Sequence, residues 1–467
     1  MLRRQTPLRP CTAAVGAALL CAALPTQAAN WLMLQGTESP KAPQHRFWGF
    51  VQPAYTSNRG DPVSGLSFPG LIPRAEGKYI AQNLVAPDLN DTEAFHVRRA
   101  RFGARGRFTD KINYFGLLEV ANNGLTYDPF GDRARAVALS DLSVTFNQVP
   151  GARVRLGLFK NPGSEELLQA IHVFDYIDFT DFTARVNLER FVTGAQAPAA
   201  SAQLPGMGTG TAEGYGFSAA RDWGLQVFDS FKQGNWDLSY AVKVGRGEAI
   251  STTEDNNFEP EWYLYGAAEY GLPGGKGPNK NGVKLYAWRQ QGKRDFETAG
   301  NDDQYDRIRQ GIGFKALGHL FGSRFKHRIS GELMFADGMI FTAPQGNVAA
   351  PGNNLQYAVE KGNKARGYYL DYGFYLDQHW QFDVRWDRDE LLYDTAGTVD
   401  PGNEREITAW TFGVNYHFNP KVRLTLNYTA REAKAPTAYP NAALTRDVRK
   451  IVDTLDDRIA AQLTWIF

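Results

Sequence analysis

The stretch that decides the fold is Leu455-Asp456-Asp457-Arg458-Ile459-Ala460-Ala461-Gln462-Leu463-Thr464-Trp465-Ile466-Phe467. Ile459, Ala461, Leu463, Trp465 and Phe467 fall on one side of a period-two strand. Arg458, Ala460, Gln462 and Thr464 fall on the other, with Ile466 as the bulky exception. An open apolar edge of this kind invites aggregation in water. A closed barrel in lipid removes the edge and gives the apolar side a solvent. The segment therefore reads as the closing strand of a barrel in lipid.

The other end agrees. Arg3, Arg4 and Arg9 precede a short apolar run, Ala13 to Leu24, and Pro25-Thr26-Gln27-Ala28 looks like a cleavage site. The run is too short to span a bilayer, so residues 1–28 are expected to be a cleavable signal peptide. Both cysteines, Cys11 and Cys21, lie inside it, which leaves no disulfide or thiolate metal site in the expected mature chain. The formal charge of +1 turns slightly negative once the three leader arginines are lost, so overall charge identifies no partner and gives no sign of nucleic-acid binding. Mean hydropathy is −0.40, yet 13% of residues are aromatic. No segment after the leader offers ~18 consecutive apolar residues, which argues against a helical membrane protein.

Alternation and turn residues place sixteen strands near 45–57, 95–108, 112–122, 136–148, 152–160, 221–231, 235–245, 260–271, 281–291, 305–316, 325–337, 365–376, 379–391, 406–418, 421–431 and 455–467. The connections alternate long and short. Asn58 to Ala94 is long and Thr109 to Lys111 short; Asn161 to Ala220 is very long and Lys232 to Gly234 short. Short turns on one side and long loops on the other are the mark of an up-and-down meander with both termini at the short-turn end. The predicted fold is an all-β, closed, transmembrane antiparallel barrel of about 16 strands. Residues 29–44 form an N-terminal segment and 45–467 the barrel.

The second strand carries the strongest chemical signal. Arg99, Arg101, Arg105 and Arg107 share one parity; Phe102, Ala104, Gly106 and Phe108 share the other. Guanidiniums on the lipid face near midplane are costly, so the four arginines should face the lumen. Arg98 has the wrong parity and belongs at a membrane boundary or a bulge. Arg153, Arg155, Arg307, Arg309, Lys315, Lys326 and Arg328 share lumen parity on other strands. Two readings follow. The cations hand an anion along the pore, or they pair with lumen carboxylates such as Glu119, Asp141, Asp383 and Asp387.

The runs Phe95-His96-Val97-Arg98-Arg99-Ala100-Arg101-Phe102-Gly103-Ala104-Arg105-Gly106, Leu139-Ser140-Asp141-Leu142-Ser143-Val144-Thr145-Phe146 with Arg153-Val154-Arg155-Leu156-Gly157-Leu158-Phe159-Lys160-Asn161-Pro162, and Ala220-Arg221-Asp222-Trp223-Gly224-Leu225-Gln226-Val227-Phe228 together resemble the phosphate-selective porin O/P family. The resemblance implies a homotrimer of sixteen-stranded barrels in the bacterial outer membrane, each with its own anion pore. It also implies a third loop, here around 161–220, folded inward to narrow the pore, with Arg185 and Arg190 corresponding in kind to a basic position near its end. The loop is apolar and acidic from Glu165 to Asp181, not serine-rich and basic.

The expected function is passive diffusion of small anionic solutes, phosphate or polyphosphate among them, through an arginine-lined lumen surrounded by outer-membrane lipid. No cofactor, metal or turnover chemistry is expected. The seven histidines are scattered, and no nucleophile elbow is present. Two alternatives stand beside it: a substrate-selective channel for organic acids or other nutrients, and a barrel enzyme acting on lipids. The enzyme would need a serine or aspartate beside a histidine on the outer wall. His417 lies at lumen parity instead.

Overall fold

The computed structural model describes residues 30–77, 93–121, 127–128, 133–134, 136–188, 220–247, 259–275, 277–298, 301–338, 340–342, 356–358, 362–394 and 401–467. The expected leader and Arg190 lie outside them. Sixteen strands close into one antiparallel barrel in chain order. They are β1 (His45–Asn58), β2 (Glu93–Thr109), β3 (Ile112–Glu119), β4 (Ala138–Phe146), β5 (Arg153–Lys160), β6 (Arg221–Gln233), β7 (Trp236–Gly245) and β8 (Glu261–Gly271). The second half comprises β9 (Gly282–Thr298), β10 (Asn301–Gly318), β11 (Lys326–Gly338), β12 (Lys364–Tyr375), β13 (Trp380–Leu391), β14 (Arg405–Asn419), β15 (Val422–Lys434) and β16 (Arg458–Ile466). Closure joins β1 to β16, with Phe50 opposite Ile466 and Val51 opposite Trp465. Phe467 extends the seam by exchanging backbone hydrogen bonds with Gly49.

Parity is kept along the walls. On β16, Arg458, Ala460, Gln462 and Thr464 are buried, while Leu463, Trp465 and Phe467 are exposed on the outside. The outer wall presents Phe47, Phe95, Phe102, Leu285, Ile312, Leu370, Trp410 and Phe412 in the same way. An aqueous fold would have to hide this surface; a bilayer accepts it. Where parity breaks, a bulge is responsible. The β1–β2 register skips Arg98 between Arg99 and Val97, opposite Pro53. Pro53 has no N–H to give the ladder, and the extra residue turns Arg98 to the inside. There its guanidinium pairs with Asp178 at 2.5 Å.

The last strand starts three residues later than alternation suggested. Before it, Ala442–Asp453 forms a three-turn helix, capped by Asn441, whose side chain accepts from the Ala443 and Leu444 amides. Its apolar face, Val448, Ile451 and Val452, packs on Ile407 of β14, Ala433 of β15, and Val63, Leu71 and Ala75 of the first long loop. Helix and loop together form a cap at the long-loop end.

Candidate functional site: the barrel interior

Two segments that are not strands enter the barrel. The first is residues 161–188, which follow β5. Glu165–Leu168 makes one helical turn, and Thr183–Asn187 makes a second, wider one. This segment reaches many staves of the wall. Ser164 donates to Glu332 on β11 and Glu165 accepts from Lys284 on β9, at 2.9 and 2.6 Å. Tyr176 donates to Asp371 on β12 at 2.6 Å, and the Ile177 amide to Asn427 on β15 at 2.8 Å. Asp178 receives Arg458 of β16 at 3.1 Å. Leu168, Phe182 and Val186 join one apolar cluster with Phe228, Tyr265, Trp288, Met334, Ala365 and Leu391 of the wall.

The second is the N-terminal segment. Trp31–Leu34 forms a single helical turn, and Trp31, Leu32 and Met33 are buried in the same cluster. Gly36 then turns with φ +66°, so close to the wall that a Cβ would sit 3.3 Å from that of Phe115. The chain continues to β1 along β2 and β3, where the Glu38 amide donates to Asn113 at 3.1 Å.

These two fillings decide where the nominated cations lie. Arg99 and Arg101 are buried at 2% and 4% exposure, which a water-filled lumen would not produce. Arg99 donates to Gln52 at 3.2 Å and Arg101 to Glu119 at 2.8 Å. Arg105 donates to the Leu34 and Thr37 carbonyls, at 2.8 and 3.3 Å, and pairs with Glu38. Arg107 donates to the Ala42 carbonyl at 2.8 Å and pairs with Asp110. Arg153 pairs with Asp229 and touches the Met33 sulfur at 3.8 Å. Arg155 donates to Thr145 at 3.1 Å and to the Gln35 carbonyl, with its plane 4.4 Å from the Phe228 ring centre.

On the opposite wall, Arg307 meets Glu261 at 2.9 Å and the Asn187 carbonyl at 3.2 Å. Arg309 donates to the Val186 carbonyl at 2.9 Å. Lys315 lies 3.7 Å from Glu165, and Lys326 donates to the Asn279 carbonyl at 2.5 Å. Arg328 is shared among Asp371 at 2.8 Å, Asp383 at 2.9 Å and Asp175. Arg185, on the inward segment, is buried with no hydrogen bond from any guanidinium nitrogen among the described residues. Asp389, whose two oxygens also lack hydrogen bonds, lies within its electrostatic reach.

All four carboxylates nominated from sequence are paired: Glu119 with Arg101, Asp383 with Arg328, Asp141 with Arg221 at 3.0 Å, and Asp387 with Arg385 at 3.3 Å. The parity rule applied to β6, β9, β13 and β15 would also have found Arg221, Lys284, Arg385 and Arg423. Glu38 carried no such signal, because nothing periodic surrounds it. The interior opens at the short-turn end into a cavity of about 650 Å³, whose lining includes Lys315, Lys326, Arg328, Arg423, His172 and Asp175. His417 faces this cavity and lies 3.3 Å from Gln381. No group of three His, Cys, Asp or Glu side chains is arranged to hold a metal among the described residues.

Residues 77–234 match the family model of the phosphate-selective porins O and P. No curated protein matches the chain. Among solved structures, OmpF of Salmonella typhi in complex with daunomycin aligns over 91% of this chain and 97% of its own, at 10% identity and a TM-score of 0.50. The anion-selective porin from Comamonas acidovorans aligns over 91% and 99%, at 12% identity and 0.48. The outer membrane channel DcaP of Acinetobacter baumannii aligns over 93% and 100%, at 11% identity and 0.46. The family match and the sixteen-stranded closed barrel together support an outer-membrane channel of the porin kind.

Proposed function

We propose that this protein is a passive outer-membrane channel for small anionic solutes, exported by a cleaved leader comprising residues 1–28. The observation that carries the reading is the row Arg99, Arg101, Arg105 and Arg107 on the inner face of β2, faced by Arg153 and Arg155 on β5. Cations two residues apart on a strand stand ~7 Å apart, as Arg99 and Arg101, Arg105 and Arg107, and Arg153 and Arg155 do, with ~13 Å between Arg101 and Arg105, so an anion passes from one donor set to the next. Lys315 and Lys326 at the short-turn cavity extend the series. Phosphate is one member of the solute class, and the family match supports it. Assembly as a homotrimer in outer-membrane lipid rests on the same resemblance, and native mass measurement in detergent tests it: a monomer alone overturns it.

The buried pairs of Glu119, Asp141, Asp383 and Asp387 favour a second reading. A lumen with so many paired charges suits a channel selective for organic acids or other nutrients that carry several polar groups. One recording tests the anionic class, and block of that current by organic acids but not by phosphate marks the second reading. In asymmetric potassium chloride the reversal potential of the reconstituted protein takes the anion sign if the arginines dominate, and Arg107→Glu with Lys326→Glu moves it toward cations. A weak or cation-signed potential in the unaltered protein overturns the first reading.

A further inference from the structure

The N-terminal segment is placed where a permeating anion would have to bind. Its Leu34, Gln35 and Thr37 carbonyls and the Glu38 carboxylate all accept from Arg105 or Arg155. The Ala42 carbonyl accepts from Arg107, and Arg46 approaches Glu38 at 3.7 Å. The Met33 sulfur rests on Arg153. Four of the cations that sequence parity nominated for the pore are thus engaged by one stretch of peptide. What the stretch presents to them is a run of acceptor oxygens with one full negative charge, which is the face a polycarboxylate or phosphate ester would present.

Apart from its guanidinium contacts, the anchoring of the segment is chiefly apolar. A single four-residue helical turn has little stability of its own. Apart from the wall contacts at Gly36 and Glu38, the hold is the burial of Trp31, Leu32 and Met33 and one side-chain hydrogen bond to the inward loop, from Gln35 to the Leu168 carbonyl at 3.2 Å. Glu38 is the one carboxylate side chain between Asn30 and the start of β1. It is set against both Arg46 and Arg105.

We infer that residues 30–43 act as an internal ligand: they occupy an oxyanion site built by Arg105, Arg153 and Arg155, and solutes bearing carboxylate or phosphate groups enter by displacing them. The inference rests on the anion-channel reading. The segment keeps the lumen closed when no solute is present, and the free energy of the exchanged guanidinium–oxygen bonds nearly cancels, so the cost of displacement is the exposure of Trp31, Leu32 and Met33, which the solute's extra charge on the same donors must offset.

The test compares four proteins in planar bilayers: the full chain, a deletion of residues 30–41 behind the unchanged leader, Glu38→Gln, and the pair Gly36→Cys with Ser143→Cys. A Cβ at Gly36 lies 3.6 Å from the Ser143 hydroxyl oxygen, within reach of a cross-link, and the reduced pair controls for the strain of a side chain at φ +66°. Heat-modifiable electrophoretic mobility first verifies that each barrel is folded. Chloride current is then titrated with citrate and, separately, with inorganic phosphate. The deletion is expected to conduct several-fold more than the full chain and to be blocked by citrate at lower concentration, with Glu38→Gln in between. The oxidised cysteine pair is expected to stay in the low-conductance state until dithiothreitol is added. Equal conductance and equal blocking concentrations across folded variants overturn the inference, as does an oxidised pair that opens to citrate as readily as its reduced form. If the deletion fails to fold, the cysteine pair carries the decision. A deletion that conducts more but prefers cations overturns the anion-channel reading itself, and with it the oxyanion as competitor.

Discussion

Arg101 and Glu119 illustrate what a lumen charge does at the scale of one residue. They lie on adjacent strands, in register, at 4% and 0% side-chain exposure, with the guanidinium 2.8 Å from the carboxylate. Removing one partner of such a pair leaves the other charge buried and unmatched, at about 3–5 kcal/mol. Parity alone treats Arg101 as a residue free to be exchanged for selectivity, and the pairing changes that expectation. Arg101→Glu, which sets two carboxylates side by side, is expected to destabilise the barrel by at least that amount. The double exchange Arg101→Glu with Glu119→Arg is expected to recover most of the loss. Urea unfolding from lipid vesicles checks both, and equal stability of the single and double variants shows that the pair is not coupled. Selectivity is better probed at Arg107, whose partner Asp110 is 76% exposed.

At the scale of elements, one buried carboxylate adds a polar tie to the apolar packing of the cap at the long-loop end. Asp447, in the helix before β16, is buried and accepts from the Ser67 and Phe68 amides of the first long loop, at 2.6 and 2.5 Å. Burial opposes its charge, but these donors and the Ser67 hydroxyl outweigh that and hold its pKa below 3.8. A depressed carboxylate stabilises the folded form above its unfolded pKa and loses that contribution as pH falls through the folded value. The cap is therefore expected to be intact at neutral pH and to loosen only below pH 3.8. Asp447→Ala takes the acceptor from two half-buried amides, at about 0.5–1.5 kcal/mol for each lost hydrogen bond, and should loosen the cap at any pH. Hydrogen exchange at Ser67 and Phe68 reports both effects; unchanged protection in the variant shows that apolar packing alone holds the cap. Reading by alternation finds the strands and misses this helix. Alternation over eight or more residues is a signal that lipid on one side and water or protein on the other imposes everywhere on the wall. The cue at Asn441 to Asp453 is helical instead: Leu444, Val448, Ile451 and Val452 recur at i, i+4, i+7 and i+8 behind the capping asparagine, a spacing that a search for period-two strands passes over. The inward path of residues 161–188 came from resemblance, because its turns are too short to show a period. The placement of Trp31 to Glu38 beside the β2 arginines came from the structure alone.

On the scale of the whole molecule, everything depends on the seam between the first strand and the last. A meander of sixteen strands has only one pairing of distant residues that local contacts cannot template, and here it joins positions more than four hundred residues apart. The geometry at that seam is tight. Gly49 and Phe467 exchange two backbone hydrogen bonds, at 3.2 and 3.0 Å. The Phe467 ring lies over Gly49 so closely that a Cβ there would sit 2.5 Å from the ring edge and 2.6 Å from the Arg101 carbonyl oxygen. A methyl group cannot be accommodated by moving the ring alone, because the Arg101 carbonyl belongs to the β1–β2 ladder and is fixed. Overpacking of this kind typically costs about 1–3 kcal/mol, and at the seam it falls on the step that closes the barrel. Gly49→Ala is therefore expected to slow refolding into vesicles and lower the yield of the folded band on unheated gels. Gly266→Ala on β8 is the matched control, since a Cβ at that position meets nothing within 4 Å. Its yield and rate should equal those of the unaltered chain. If Gly49→Ala refolds as fast and as fully as Gly266→Ala, the terminal aromatic is not seated on the first strand during closure, and the seam forms by some other contact.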